Sequence, residues 1–283
     1  MSARRTDRLD GEVVVAHERA LDAASLERFQ AIYLESFPPA ERAPFQDLVK
    51  EIESRKYRLL TLRENGTLRG FALSMSLSGL DVHLLAYLAV GRRYRDRGLG
   101  GRLLQALIDS LTLQGNVAGI LIEVDPKEAE DGRDLGMAAR RIQFYKRLGA
   151  HPVAGAQGYR APNLAGEGSL AMQLMWLPLR SPGQELEGEK LRSCVAALLV
   201  QSYGLQETDP LVQDVLRSLV RWGHVKSGDA SPIPVPTRNA PLRHLDGRSC
   251  VPRLRRVSFP ARRFGFSTAS VGGTFRLAHA GKT

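Results

Sequence analysis

The run Tyr94-Arg95-Asp96-Arg97-Gly98-Leu99-Gly100-Gly101 most narrows what this chain can fold into. It follows an apolar segment, residues 83–90, that reads as a strand, and precedes an amphipathic pattern beginning near Leu99 that reads as a helix. A chain that turns through glycines into a helix gathers the unpaired N–H groups of the first helical turn around one point, with no Cβ in the way. The helix dipole adds positive potential there, and flanking arginines add side-chain donors for phosphate oxygens. The stretch predicts a loop that cradles a phosphate-bearing ligand.

Two common nucleotide folds are excluded by spacing. The dinucleotide-binding turn needs a third glycine in G-x-G-x-x-G, and that position holds Leu103. The P-loop needs Lys followed by Ser or Thr, and neither pair follows these glycines. An isolated Gly-x-Gly before a helix is equally a simple tight turn, so the loop needs support from elsewhere in the chain.

Periodicity supplies the surroundings. Residues 12–16 read as a strand, and 24–37 as a helix with Leu26, Phe29, Ile32 and Tyr33 on one face, ended by Pro38-Pro39. A second helix spans 45–54. Strands at 57–62 and 68–75 flank Asn65-Gly66, a hairpin signal, and a strand runs from 81 to 90. After the glycine loop, Leu103, Leu104, Leu107, Ile108 and Leu111 form one helical face that Gly115 stops. A buried strand at 119–124, a polar stretch at 126–135 and a helix carrying Ala138, Ile142 and Tyr145 follow, with Gly149 at its end. Two last strands are expected at 151–159 and 169–177. Residues 188–203 then read as an amphipathic helix stopped by Gly204, and Asp209-Pro210 opens another.

Two blocks in this order resemble the GNAT acetyltransferase family. The first is Leu88-Ala89-Val90 with Tyr94 to Gly100 and Leu103-Leu104; the second is Arg140-Arg141-Ile142-Gln143-Phe144-Tyr145-Lys146-Arg147-Leu148-Gly149-Ala150. The resemblance covers roughly residues 12–178. It implies an α/β fold, a mixed and mostly antiparallel sheet flanked by helices, and acetyl-CoA as co-substrate for transfer of an acetyl group to an amine. Main-chain atoms of Leu88, Ala89 and Val90 would pair with the pantetheine arm, because the strand ending at Val90 parts from the strand at 119–124 in that family. Arg95, Arg97, Gly98, Leu99, Gly100, Gly101 and Arg102 would cradle the pyrophosphate. Tyr145 matches the family's tyrosine near the sulfur and is the expected catalytic acid, although Ile142 and Leu148 would suit it equally to core packing.

The expected base is Glu123, which on sequence alone would equally point to solvent; Asp125 and His83 are the other groups near that strand. No carboxylate occurs within 83–90, where the family commonly has one, and the family's cofactor-holding asparagine is missing from 126–135, where Arg140 or Arg141 would have to replace it. Glu35 and Glu41 lie where the family walls its acceptor site and would attract a cationic amine, or simply solvate a loop. The acceptor, a small-molecule or peptide amine, is not specified further.

Charge divides the chain. The formal net charge is +10, yet residues 226–283 hold 11 basic and 2 acidic side chains, which leaves the first 225 residues near neutrality. The expected organisation is an acetyltransferase domain at 1–180, a helical extension at 181–225 and an Arg/Pro-rich tail at 226–283. Six prolines and no sustained period make that tail read as disordered. Any nucleic-acid contact would fall on the tail, which lacks a recognised motif; a nucleic-acid-associated protein and a non-catalytic acyl-CoA-binding module are the competing classes. The extension's apolar faces need cover, from the catalytic domain or from a second copy in a homodimer. Cys194 and Cys250 form neither a disulfide framework nor a metal set, so no metal is expected. The longest apolar run, 194–200, is too short to span a bilayer, and no signal peptide interrupts the reading of a cytoplasmic protein.

Overall fold

Local signals set where the elements of this chain begin and end. In the computed structural model, which describes residues 12–126 and 135–222, Asp22 caps the first helix by accepting the Ser25 N–H at 2.8 Å. Asn65 and Gly66 both take positive φ (50° and 74°), as a two-residue hairpin turn requires. Asp209 Oδ1 accepts the Leu211 N–H at 2.8 Å to open the last helix at Pro210. The tail at 226–283 lies outside the described residues, as does most of the polar stretch at 126–135.

The elements run β1 (Val13–Glu18), α1 (Ala23–Ser36), α2 (Phe45–Glu53), β2 (Arg58–Glu64), β3 (Thr67–Ser76), β4 (Val82–Val90), α3 (Leu99–Gln114), β5 (Gly119–Val124) and α4 (Leu135–Arg147). They continue with β6 (His151–Pro152), β7 (Arg160–Pro162), β8 (Ser169–Ala171), β9 (Gln173–Pro178), α5 (Gly188–Ala197) and α6 (Pro210–Trp222). Seven strands form one sheet in the order β1-β2-β3-β4-β5-β9-β6, and β7 with β8 forms a separate hairpin. Every neighbouring pair of the large sheet is antiparallel except β4 and β5, which α3 connects as a crossover.

That parallel pair is short. It extends from Val82↔Gly119 to Leu85↔Ile122 and stops, although β4 continues to Val90. At the same level the β3–β4 register slips between Leu73↔Tyr87 and Ser74↔Leu85, so Ala86 is one residue too many. A bulge of this kind bends its strand. Beyond it β4 stays paired with β3 and leaves β5, and a wedge opens between the two parallel strands.

Alternation along the strands sends side chains to two cores. Ile120 and Ile122 join one with Leu103, Leu104 and Leu107 of α3 and Ile142 of α4; Leu121 joins the other with Phe29 and Tyr33 of α1 and Leu48 of α2. The second core also takes Leu191 and Val195 of α5, Leu198 and Leu199 after it, and Val215 of α6. The C-terminal helices thus cover their apolar faces against this sheet. No described helix is long and apolar enough to cross a membrane.

Three expectations need correction. The strand at 151–159 is only His151–Pro152, because Gly155 turns the chain at φ 81°. The strand at 169–177 is two, broken at Met172, whose N–H bonds Tyr159 O at 3.2 Å while β9 enters the sheet between β5 and β6. The helix at 188–203 is α-helical only to Ala197 and continues as a π-helical turn, Leu198–Ser202.

Close packing at the start of β5 yields a test. A Cβ on Gly119 would lie 2.4 Å from the ring of Trp176, itself buried. Gly119→Ala should therefore lower stability by about 1–3 kcal/mol through overpacking, measured by urea denaturation; an unchanged midpoint would mean that the indole can move aside.

Candidate active site

The wedge between β4 and β5 opens into three clefts. A central cleft of about 290 Å³ is lined by Leu88, Ala89 and Val90 of β4, Glu123 of β5, and Tyr145 of α4. A groove of about 420 Å³ leads from it across Gly98, Leu99, Gly100 and Gly101, and shares Leu88, Val90, Arg95, Arg141 and Tyr145 with it. A further cleft of about 260 Å³ joins the central one at Glu41, Ala86, Tyr87, Glu123 and Tyr203. The groove and the further cleft have no lining residue in common. Tyr145 therefore stands at one junction and Glu123 at the other.

The groove is built on the start of α3. Gly98 precedes the helix at φ 73°, a conformation that favours glycine, and no side chain caps the helix. The N–H groups of its first turn have no intrahelical partner and lie along the groove floor. Phe144 and Arg147 of α4 form the opposite wall. Arg95 lines groove and central cleft alike, held by its Nε donating to Val90 O and its Nη2 to Ser36 Oγ, both at 3.0 Å. Arg97 and Arg102 line neither. Arg97 pairs with the buried Glu64, whose carboxyl it holds below the usual range together with Arg69; Arg102 is exposed.

At the first junction, Tyr145 packs with Ile142 and meets the Phe144 ring edge-on at 5.0 Å between centroids. Burial pushes its hydroxyl up to about 12, against the opposing effect of Arg141. It is a phenol, not a phenolate, across the neutral range. Its position serves both core and cleft.

At the second junction, Glu123 projects on the Leu121 side of β5 and is partly buried. Tyr159 Oη donates to its Oε1 at 2.6 Å, and Tyr203 Oη reaches Oε1 at 3.0 Å and Oε2 at 3.1 Å. Burial raises its carboxyl above the ordinary range; the two tyrosine bonds favour the carboxylate and oppose that rise. The other groups near this strand are engaged differently. Asp125 accepts from Arg141 at 2.6 Å. His83 is buried in β4 away from all three clefts, and burial with nearby Arg58 lowers it to about 4. Glu35 and Glu41 line the central cleft, where Glu35 also accepts the Arg92 N–H at 2.8 Å.

Residues 26–150 match the acetyltransferase (GNAT) family. That segment is similar to the family. Among solved structures, a GNAT-family protein from Bacteroides thetaiotaomicron superposes with a TM-score of 0.51 at 21% identity, over 68% of this chain and 99% of its own. The ribosomal-protein-S18-alanine N-acetyltransferase of Escherichia coli gives 0.43 at 24% identity, over 62% and 100%. A protein from Salmonella typhimurium, solved with its cofactor acetyl-CoA, gives 0.43 at 19%, over 60% and 97%. The likeness to the first of these is one of fold. No curated protein matches the chain.

The GNAT match ends before two of the residues that contact Glu123. Tyr159 lies in the turn ahead of β7 and Tyr203 at the end of the π-helical turn. Both stand at the ends of elements expected from periodicity, and no local pattern links either to a glutamate 36 or 80 positions away. Phe144 and Arg147 were within reach of sequence reasoning, since they flank Tyr145 on the same helix.

The environment of Glu123 makes a prediction about stability. A carboxyl raised by folding contributes stability that is full below the ordinary value of 4.5 and is lost as pH rises through the raised value. Glu123→Gln should unfold at a higher temperature than the unaltered chain at roughly pH 8, with the two converging below the ordinary glutamate range. Thermal unfolding across pH checks this; a variant less stable at high pH would mean that the ionised carboxylate is favoured by the fold.

Proposed function

We propose that this chain is an N-acetyltransferase that moves an acetyl group from acetyl-CoA to a primary amine. The observation that carries the reading is the order of the clefts: a glycine-floored groove, a phenol at its inner end, a central cleft, then a carboxylate. In this reading residues 1–180 carry the catalytic domain and 181–225 a helical extension.

The groove's chemistry suits a nucleotide thioester. Glycines keep its floor free of side chains, the first turn of α3 presents N–H donors, and Arg95 adds positive charge. Gly98, Leu99, Gly100 and Gly101 would hold the pyrophosphate, with Arg147 in place of Arg97, which Glu64 engages, and of Arg102, which does not line the groove. At Leu88, Ala89 and Val90 the β5-facing edge of β4 has no strand partner, with Val90 O taken by Arg95, which suits strand-like pairing of the rest with an extended amide chain. Acetyl-CoA supplies the acetyl group as a thioester. Glu123 takes a proton from the acceptor's ammonium, which frees a lone pair for attack on the thioester carbonyl; as the C–N bond forms and the C–S bond breaks, Tyr145 gives its hydroxyl proton to the departing sulfur, and the second proton lost by the nitrogen restores that hydroxyl. The raised proton affinity of Glu123 agrees with its task; that of Tyr145 keeps the hydroxyl protonated in the neutral range but makes it a weaker acid. Holding both reactants in one wedge contributes the entropic part of the acceleration.

Two experiments test this. Acetyl-CoA at about 100 times its dissociation constant should stabilise the full chain by roughly 2.7 kcal/mol. A Cβ on Gly101 meets open space in the groove, so Gly101→Trp should fold and lose that rise; a retained rise would place the ligand elsewhere. Thiol release with a panel of primary amines then identifies an acceptor. Tyr145→Phe should lower turnover about 10²-fold or more while keeping the acetyl-CoA rise, and full turnover would assign Tyr145 to packing alone.

A further inference from the structure

The segment that follows the GNAT match enters the site. After α5 the chain widens into the π-helical turn Leu198–Ser202, a rare geometry that is enriched where side chains must be redirected for function. The turn is fastened at several points. Leu198 and Leu199 are fully buried in the core, and Gln201 exchanges two hydrogen bonds with the backbone of Ser78 in the loop between β3 and β4, at 2.8 and 3.3 Å. Ser202 Oγ lies 3.5 Å from Tyr57 Oη. Tyr203 leaves this fixed turn with its hydroxyl against both Glu123 oxygens, and Gly204 at φ 71° takes the chain away again.

We infer that residues 198–203 belong to the acceptor site, where Tyr203 is a positioning residue that holds the Glu123 carboxylate at the junction of the central and further clefts. The inference rests on the role proposed for Glu123. The two carboxylate oxygens are not equivalent. Oε1 accepts from both Tyr159 and Tyr203, whereas Oε2 accepts from Tyr203 alone. Oε2 keeps the larger remaining capacity and is the atom that receives the amine proton. Because Tyr203 lines both clefts, it also forms part of the wall that the acceptor passes between them. The acceptor comes through the further cleft, since the groove reaches the central cleft from the Tyr145 side.

The titratable groups around Glu123 are Tyr57 ahead of β2, Tyr87 of β4, Tyr159 and Tyr203. Glu41, Arg141 and Tyr145 line the same central cleft. Only Tyr159 and Tyr203 donate hydrogen bonds to the carboxylate among the described residues. Removing one such donor disfavours the ionised form and raises the proton affinity of Glu123.

The test is a carboxyl ¹³C NMR titration of the full chain labelled at glutamate Cδ, with the Glu123 signal assigned by its loss in Glu123→Gln. Tyr203→Phe should move the Glu123 midpoint upward by about one pH unit and leave the stabilisation by acetyl-CoA in place. An unmoved midpoint with that stabilisation retained overturns this inference alone. Absence of stabilisation by acetyl-CoA in the unaltered chain fails the enzyme reading and this inference with it. If Tyr203→Phe does not fold, Gln201→Ala loosens the turn from the Ser78 loop and should raise the midpoint in the same direction; no movement there overturns the inference.

Discussion

The parting of β4 from β5 governs the rest of this structure. Four paired positions join the two strands, and then the extra residue at Ala86 bends β4 toward β3 and away from its parallel neighbour. A sheet interior normally has no room for a ligand, because every strand edge is paired with the next. Here one edge is left open inside the sheet, and side chains from both layers of helices reach it. Tyr145 comes from the α3–α4 side, while Glu123 and Tyr203 come from the side of α1, α5 and α6.

Burial acts on both junction residues in one direction and gives them different states. Each holds its proton more firmly than in water. For a phenol that means remaining a donor throughout the neutral range. For a carboxyl it means a stronger proton acceptor once ionised, and the tyrosine hydroxyls keep the ionised form within reach. The difference comes from the partners: Tyr145 has a cation nearby in Arg141, and Glu123 has neutral donors in direct contact.

Sequence reading reached the features whose causes are local. Asn65-Gly66, Asp22 and Asp209-Pro210 act on their immediate neighbours, and the structure places turn and caps at each. The glycines at 98, 100 and 101 share one groove for the same reason, being adjacent at a helix start. Arg97 shows the limit. Its spacing suits a phosphate, but Glu64 lies across the hairpin end and takes its guanidinium, an interaction between residues that only the sheet brings together. The division of the expected strand at 169–177 has a similar origin, since two different sheet partners compete for its halves. Glu123 was visible as a residue of β5; that two tyrosines from later turns would converge on it was not, because no periodicity encodes a contact between a strand and a distant turn.

The place of β9 sets an order for assembly. It lies between β5 and β6, and among the described residues β6 has no other neighbour in the sheet. A ribosome that has released the chain only as far as Ala150 has therefore exposed the whole family-matched segment with one side of β5 still bare. The nascent sheet closes only when Gln173–Pro178 emerges and threads into that gap, and Tyr203 arrives later still. Long-range insertion of this kind is slow relative to hairpin formation. The part of the chain that looks most like a finished domain is thus the part that must wait longest for its last strand.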